Sequence, residues 1–295
     1  MTGTLLILGH GYSAAALSRR LLPQGWTVIG TTRSADKAEI LRASGVEPLI
    51  WPGAPLGPAL GRATHLLAGI GPGPEGDPVL AAHRAEVEAA APHLAWAGYL
   101  STTGVYGDHA GGWVDEETPL APSTARGRAR LEAEEAWQKL AARTGLALHI
   151  FRLAGIYGPG RGPFRKVLDG TARLIIRENQ FMSRIHVDDI AAVLEASIRR
   201  PSPGAVYNVC DDEPTSPEEV LIHAARLLGL PPPPRIPFDE APMSAMARSF
   251  YAESKKVRND RIRTGLGVSL AFPTYREGLA AMRAAMTQTG RDDDE

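Results

Sequence analysis

Two arginines, Arg126 and Arg130, are the residues whose types and spacing most directly indicate chemistry in this chain. They lie four positions apart in a pattern that predicts a helix over 126–143, so their side chains should share one helix face. A guanidinium stays protonated at physiological pH and cannot serve as a general acid or base. Two guanidiniums facing a cleft could instead bind a carboxylate or a phosphate through paired hydrogen bonds.

The alternative interpretation of these arginines is a solvated helix face on which acidic neighbours balance their charge. The acids that could do so are Glu132, Glu134 and Glu135. The sequence leaves both interpretations open.

A glycine-containing segment directly after the first predicted strand has the spacing of a dinucleotide-binding loop. It follows the apolar residues 4–8 and opens an alanine-rich helical pattern. The first glycine permits a tight turn, the second lets the backbone approach a pyrophosphate, and free N–H groups at the helix N-terminus would bind phosphate. The residues that we assign to cofactor binding here are Gly9, Gly11, Tyr12, Ser13 and Ala14. The alternative is a structural turn without a ligand.

The end of the second predicted strand indicates which nicotinamide cofactor the chain would prefer. An acidic residue there would bind the ribose 2′-hydroxyl of NAD, whereas an arginine accommodates the 2′-phosphate of NADP. No carboxylate occurs before Asp36, and we assign Arg33 to the phosphate, assisted by the hydroxyls of Thr32 and Ser34. NADP is therefore favoured and NAD is the alternative, unless Arg33 is simply a solvated residue at a helix start.

Apolar runs of strand length alternate with helical patterns along most of the chain, which predicts βαβ units and a parallel sheet. The predicted strands are 4–8, 27–30, 47–51, 64–70, 98–101 and 147–151. The predicted helices include 14–22, 35–43, 79–91 and 126–143. Pro- and Gly-rich pieces predict loops at 52–61, 71–78 and 231–237, the last crossing to a smaller C-terminal unit.

Composition narrows the class of protein. The 295 residues suffice for a full α/β core, and 32 basic against 33 acidic residues argue against nucleic-acid binding. Because Cys210 is the only cysteine and the histidines lack ligand spacing, we predict neither a disulfide nor a metal site. No apolar stretch approaches ~18 residues and no signal-peptide pattern occurs, so we expect a soluble cytoplasmic protein without a membrane partner.

Five segments in sequence order resemble the extended short-chain dehydrogenases/reductases, the NAD-dependent epimerase/dehydratase family. Besides the phosphate loop they are 100–107, 151–160, 184–191 and 204–209. The resemblance implies an α/β fold with a Rossmann-like, doubly wound parallel sheet and a smaller C-terminal substrate domain. The implied Rossmann domain spans 1–160 with returning pieces near 184–212, and the substrate side spans 161–183 and 213–295.

The resemblance also shows what is unusual about the arginine pair. This segment of the family normally reads Tyr-Gly-Arg-Ser-Lys, and its Tyr and Lys perform the proton chemistry. Arg126 stands at the Tyr position and Arg130 at the Lys position, as in atypical members that lack the pair. The catalytic candidates are Thr102, Tyr106, Arg126 and Arg130, and the further cofactor contacts are Gly69, Arg130 and Ile156.

Other groups could exchange a proton in place of the missing pair. Tyr106 and Tyr157 lie on loops that face the cleft in this family, whereas His186 is interpreted as a helix cap. A literal Tyr-x-x-x-Lys sequence occurs at 251–255, in the predicted C-terminal domain, where the family's pair does not lie. We interpret it as a basic helix with Tyr251 packed inward, and a displaced catalytic role is the alternative.

The resulting hypothesis is an NADP-binding oxidoreductase or epimerase/dehydratase-type enzyme with altered catalytic residues. Its substrate would be a small anionic or sugar-nucleotide-like molecule, with a homodimer as the oligomeric state to test. The alternative is a non-catalytic NADP(H) sensor or partner-docking protein, since two arginines cannot supply the usual proton.

Overall fold

A seven-stranded parallel sheet forms the centre of the computed structural model, which describes residues 2–292, with side chains placed for 2–244 and 247–286. The strands are β1 (Thr4–Leu8), β2 (Thr27–Thr32), β3 (Glu47–Ile50), β4 (His65–Ala68), β5 (Trp96–Thr102), β6 (Trp113–Val114), β7 (Leu148–Leu153), β8 (Gly155–Tyr157), β9 (Leu174–Ile176), β10 (Arg184–His186), β11 (Val206–Val209), β12 (Arg235–Pro237) and β13 (Lys256–Val257).

Helices cover both faces of this sheet and build a smaller unit beside it. They are α1 (Tyr12–Leu21), α2 (Ala35–Ala43), α3 (Gly57–Arg62), α4 (Pro78–Ala90), α5 (Ala125–Thr144), α6 (Phe164–Leu168), α7 (Val187–Arg199), α8 (Pro217–Leu227), α9 (Ala245–Tyr251), α10 (Asp260–Thr264) and α11 (Tyr275–Asp292). Short 3₁₀ turns occur at Leu22–Gln24, Ala91–His93, Thr103–Tyr106 and Phe238–Glu240.

The strand order of the central sheet is β11-β7-β5-β4-β1-β2-β3, and every neighbouring pair is parallel. The order reverses between β1 and β4, and ligands of such sheets bind in the crevice at the carboxyl ends of the strands beside that reversal. The predicted α/β, doubly wound, Rossmann-like sheet is therefore confirmed.

The alternation of side chains along β1 divides the core between the two faces of the sheet. Leu5 and Ile7 pack towards α1 and α7, whereas Leu6 and Leu8 pack towards the face covered by α3, α4 and α5. A third apolar cluster joins α6, α8 and α11. This cluster is the core of the smaller unit, while the domain boundaries given above stay a prediction.

Two of the predicted loops, 52–61 and 231–237, contain regular secondary structure, so these predictions are partly wrong. Helix α3 occupies 57–62, because Pro58 suits the first turn of a helix and Ala59 and Leu60 bury against the sheet. Strand β12 occupies the end of 231–237 and pairs with β9, so this segment does not simply cross between the two units. No helix in the described part of the chain has both the length and the apolar content needed to span a bilayer.

Candidate active-site cleft

A cleft of about 520 Å³ opens at the carboxyl edge of the sheet, where the strand order reverses. This volume lies within the range of small-molecule sites. The predicted residues that line the cleft are Gly9, Gly11, Tyr12, Ser13, Ala14, Gly69, Thr102, Arg126, Arg130 and Ile156. Four predicted residues do not line it, namely Thr32, Arg33, Ser34 and Tyr106.

The two glycines of the loop between β1 and α1 serve different purposes. Gly9 has a φ of +89°, and a Cβ there would lie 2.6 Å from Ile70 Cγ1, so the fold itself requires glycine. A Cβ at Gly11 would lie no closer than 3.8 Å to another atom, the Gly9 carbonyl oxygen. Gly11 precedes α1 without a side-chain cap, so the first N–H groups of the helix remain available to an anion.

His10 is a structural residue of this loop. It is buried, and its Nε2 shares a hydrogen bond of 2.9 Å with Ser18 Oγ on α1. Burial, followed by the positive charge of Lys37, lowers the pKa of His10 to about 4. The imidazole is therefore neutral near neutral pH and fixes the loop against α1.

The depressed pKa of His10 predicts a loss of stability in acid. The folded pKa lies below the ordinary 6.5, so the unfolded chain binds the proton first as the pH falls from 6.5 towards 4. His10→Gln should therefore flatten the dependence of the free energy of unfolding on pH in that window, measured by urea denaturation. His65, whose pKa burial also lowers to about 4, should leave a residual slope. An unchanged slope in His10→Gln would contradict the assignment.

Arg130 connects α5 to the carboxyl end of β5. Its Nη1 donates to the Leu100 carbonyl at 2.6 Å and to the Tyr99 hydroxyl at 3.3 Å. Thr102, the last residue of β5, accepts a hydrogen bond from the Gly104 N–H at 3.2 Å. The two candidates thus meet at the same edge of the sheet, beside the phosphate loop.

Of the four arginines that line the cleft, Arg126, Arg130 and Arg161 lie close enough together for their charges to interact. Partial burial, followed by the charges of Arg130 and Arg161, lowers the pKa of Arg126. Among the side chains that the structure describes, none of the three forms an ion pair. Glu134 pairs with Arg152 and Glu135 with Lys139, so neither of these acids balances the cleft arginines, although Arg126 is exposed to solvent as the alternative interpretation expected.

The expectation that Tyr106 faces the cleft is also wrong. Its side chain is fully buried, and its hydroxyl donates to Asn208 Oδ1 at 2.7 Å and accepts from Arg152 Nη1 at 3.0 Å. The 3₁₀ turn after β5 directs the ring into the core, so a substrate cannot reach this phenol. The burial of this phenol argues against a catalytic role for Tyr106.

Tyr157 and His186 are likewise held in structural contacts. The ring of Tyr157 lines the cleft, but its hydroxyl donates to the Thr274 carbonyl at 3.3 Å. His186 accepts the Asp188 N–H at 3.2 Å through Nδ1, and burial lowers its pKa. The helix-cap interpretation of His186 is confirmed.

The chain is similar in sequence to a known protein family and to individual known proteins. A family model described as "NAD dependent epimerase/dehydratase family" matches residues 88–210. Protein YeeZ of Escherichia coli (strain K12) is 34% identical over 242 residues, which cover 77% of this chain and 84% of YeeZ. The chain belongs to the NAD-dependent epimerase/dehydratase family of extended short-chain dehydrogenases/reductases.

A solved structure and a reductase are also similar to this chain. The structure of a functionally unknown conserved protein from Silicibacter pomeroyi is 58% identical, with a TM-score of 0.91 and coverage of 96% of this chain and 99% of that chain. A 3-diazoavenalumate denitrifying reductase from Streptomyces sp is 33% identical over 175 residues, or 57% of this chain and 55% of the reductase.

Most of this family uses a Tyr and a Lys on the helix corresponding to α5, but here a lysine reaches the cleft from another segment. Lys255 is buried in the cleft wall, and its Nζ donates to the Gly107 carbonyl and to Glu253 Oε2, both at 2.7 Å. Glu253 also accepts from Ser123 Oγ at 2.6 Å. Within the described residues, these are the only acid and the only lysine that line the cleft.

The interpretation of 251–255 as a basic helix is therefore wrong in part. Helix α9 ends at Tyr251, whose ring packs on Phe238 outside the cleft, and Lys255 follows the helix. The sequence contained the signal, a lysine preceded by Tyr and Glu, but nothing in it located this lysine beside Gly107. Arg161, Arg184 and Phe250 are further cleft residues that sequence analysis did not identify.

The predicted 2′-phosphate site lies beyond the cleft, at the end of β2. Ser34 caps α2 by accepting the Lys37 N–H at 3.3 Å, while Thr32 is buried. Arg33 is exposed and forms no ion pair with any side chain that the structure describes. Its assignment to a phosphate stays a prediction.

Proposed function

We propose that this protein is a nicotinamide-dependent oxidoreductase with altered catalytic residues. It would prefer NADP(H) and act on a small anionic substrate. The observation that carries the proposal is one cleft that joins the phosphate loop to the guanidiniums of Arg126, Arg130 and Arg161, which form no ion pair with any side chain in the described part of the chain. A cluster of cations without counter-ions costs free energy unless an anion compensates it.

The residues of the cleft fit a dinucleotide. The open space at Gly11 and the uncapped start of α1 suit a pyrophosphate, and we expect Arg130, at the end of β5, to bond a ribose. When bound in reduced form, such a cofactor supplies hydride. The family description and the reductase relative support redox chemistry of this kind.

Lys255 is the group that we propose to hold the proton for such a reduction. Its ammonium has three protons, two of which it donates to Gly107 and Glu253. Arg126 and Arg130 cannot release a proton, and the phenols of Tyr106 and Tyr157 donate to groups outside the cleft. The contact with Glu253 fixes the position of Lys255.

Cofactor preference gives a direct test of Arg33. The unmodified protein should bind NADPH more tightly than NADH, and Arg33→Ala should remove most of that difference. One charge-assisted contact to phosphate is worth about 1.5–3 kcal/mol, or roughly ten- to a hundred-fold in affinity. Titration of NADPH and NADH by fluorescence would measure it, and equal affinities in the unmodified protein would refute the NADP preference.

Isotope transfer would separate this proposal from the non-catalytic alternative, which the arginines at the Tyr and Lys positions keep open. The protein would be incubated with NADPH deuterated at the transferable C4 position and a mixture of small acids that carry reducible groups. Mass spectrometry should detect deuterium in a product. Tight NADPH binding without transfer to any acid would favour a sensor.

A further inference from the structure

Apolar side chains form part of the cleft wall. Phe181, Met182 and Val257 contribute to it, together with Phe250 on α9. The side chain of Phe250 is 50% exposed although it is aromatic and stands in a cleft. Such exposed aromatic surface in a concave site is typical of a place where a ligand packs.

The aromatic surface lies next to a cation. The guanidinium of Arg126 lies 5.3 Å from the centre of the Phe250 ring, and both side chains line the cleft. Arg126 has no carboxylate partner among the described side chains. An anion bound to Arg126 would therefore lie next to the Phe250 ring.

Several polar side chains of the cleft already form hydrogen bonds with other side chains or with the backbone. Glu253 accepts from Ser123 and Lys255, and Lys255 also donates to Gly107. In addition, Ser183 Oγ accepts the Val257 N–H at 3.0 Å, and Thr124 Oγ1 accepts the Gly127 N–H at 3.0 Å. The groups that remain for a ligand are mainly cationic, because Arg126 and Arg161 form no ion pair with a described side chain and Lys255 keeps one N–H. Charged donors of this kind favour an anionic group over a neutral hydroxyl.

We propose that the substrate is a compact aromatic carboxylate, whose ring packs on Phe250 and whose carboxylate binds Arg126, rather than a sugar nucleotide. The inference rests on the proposed function, because the cofactor must occupy the other side of the cleft.

Calorimetric titration of the NADPH-loaded protein tests this inference with three probes: cinnamate, its uncharged amide cinnamamide, and UDP-glucose. Cinnamate should bind roughly tenfold or more tightly than cinnamamide, as one charge-assisted contact requires, and UDP-glucose should not compete with it. Arg126→Gln should remove the advantage of the acid, and Phe250→Ala should weaken both aromatic probes.

Arg128→Gln is the matched control, because Arg128 lies on the same helix but donates to the Ser123 carbonyl and does not line the cleft. This variant should bind cinnamate as the unmodified protein does. Equal binding of acid and amide, absence of cinnamate binding, or tighter binding of UDP-glucose would each overturn the inference. A separate titration with NADPH distinguishes these failures from a failure of the proposed function, which would appear as loss of NADPH binding itself.

Discussion

Gly11→Val should abolish the binding of both NADPH and NADH, a loss of roughly a hundred-fold or more, while the protein remains folded. The added side chain meets no protein atom closer than 3.8 Å at its Cβ, so the free protein can accept it. It would occupy the space through which the backbone approaches the pyrophosphate. Fluorescence titration measures the affinity, and far-UV circular dichroism and the melting temperature report the fold.

Gly9→Val is the matched control for this prediction. Its φ of +89° and the approach of 2.6 Å to Ile70 mean that a side chain there strains the fold itself. This variant should melt at a lower temperature than Gly11→Val. If folded Gly11→Val bound NADPH with unchanged affinity, the loop would be a structural turn and the cofactor assignment would be wrong.

Arg152→Met should lower the free energy of unfolding by about 3–5 kcal/mol, the cost of leaving one member of a buried ion pair without its partner. Arg152 on β7 contacts Glu134 on α5 at 2.9 Å, and the two side chains are 5% and 1% exposed. Arg152 also donates to Tyr106, so its loss leaves two buried polar groups with a missing bond. Urea denaturation monitored by circular dichroism gives the change.

The double variant Arg152→Met with Glu134→Met should recover most of that loss, because no isolated charge remains buried. Recovery would show that the single variant is destabilised by the unpaired carboxylate. A double variant no more stable than Arg152→Met would show instead that packing of Arg152 dominates. Glu134 lies one turn after Arg130, so the pair also fixes the helix that presents the cleft arginines.

The fold of this protein was largely predictable, because the signals for it are local in sequence. Side-chain periodicity distinguishes strands from helices, and the predicted helix over 35–43 coincides with α2. The phosphate loop was predictable for the same reason, since a strand, two glycines and a helix start follow one another within residues 4–14. The arginines at 126 and 130 share a cleft because a helix places residues four apart on one face.

Tertiary structure alone decided which groups face the cleft. Tyr106 and Thr102 are four residues apart, yet a single 3₁₀ turn buries the first and leaves the second at the cleft. Glu253 reaches Ser123 across 130 positions of sequence, and no periodic pattern records such a contact. The sequence therefore determined the sheet, the loop and the family, whereas the charge and the proton-bearing groups of the cleft depend on long-range packing, because contacts between distant segments arise only when the chain is folded.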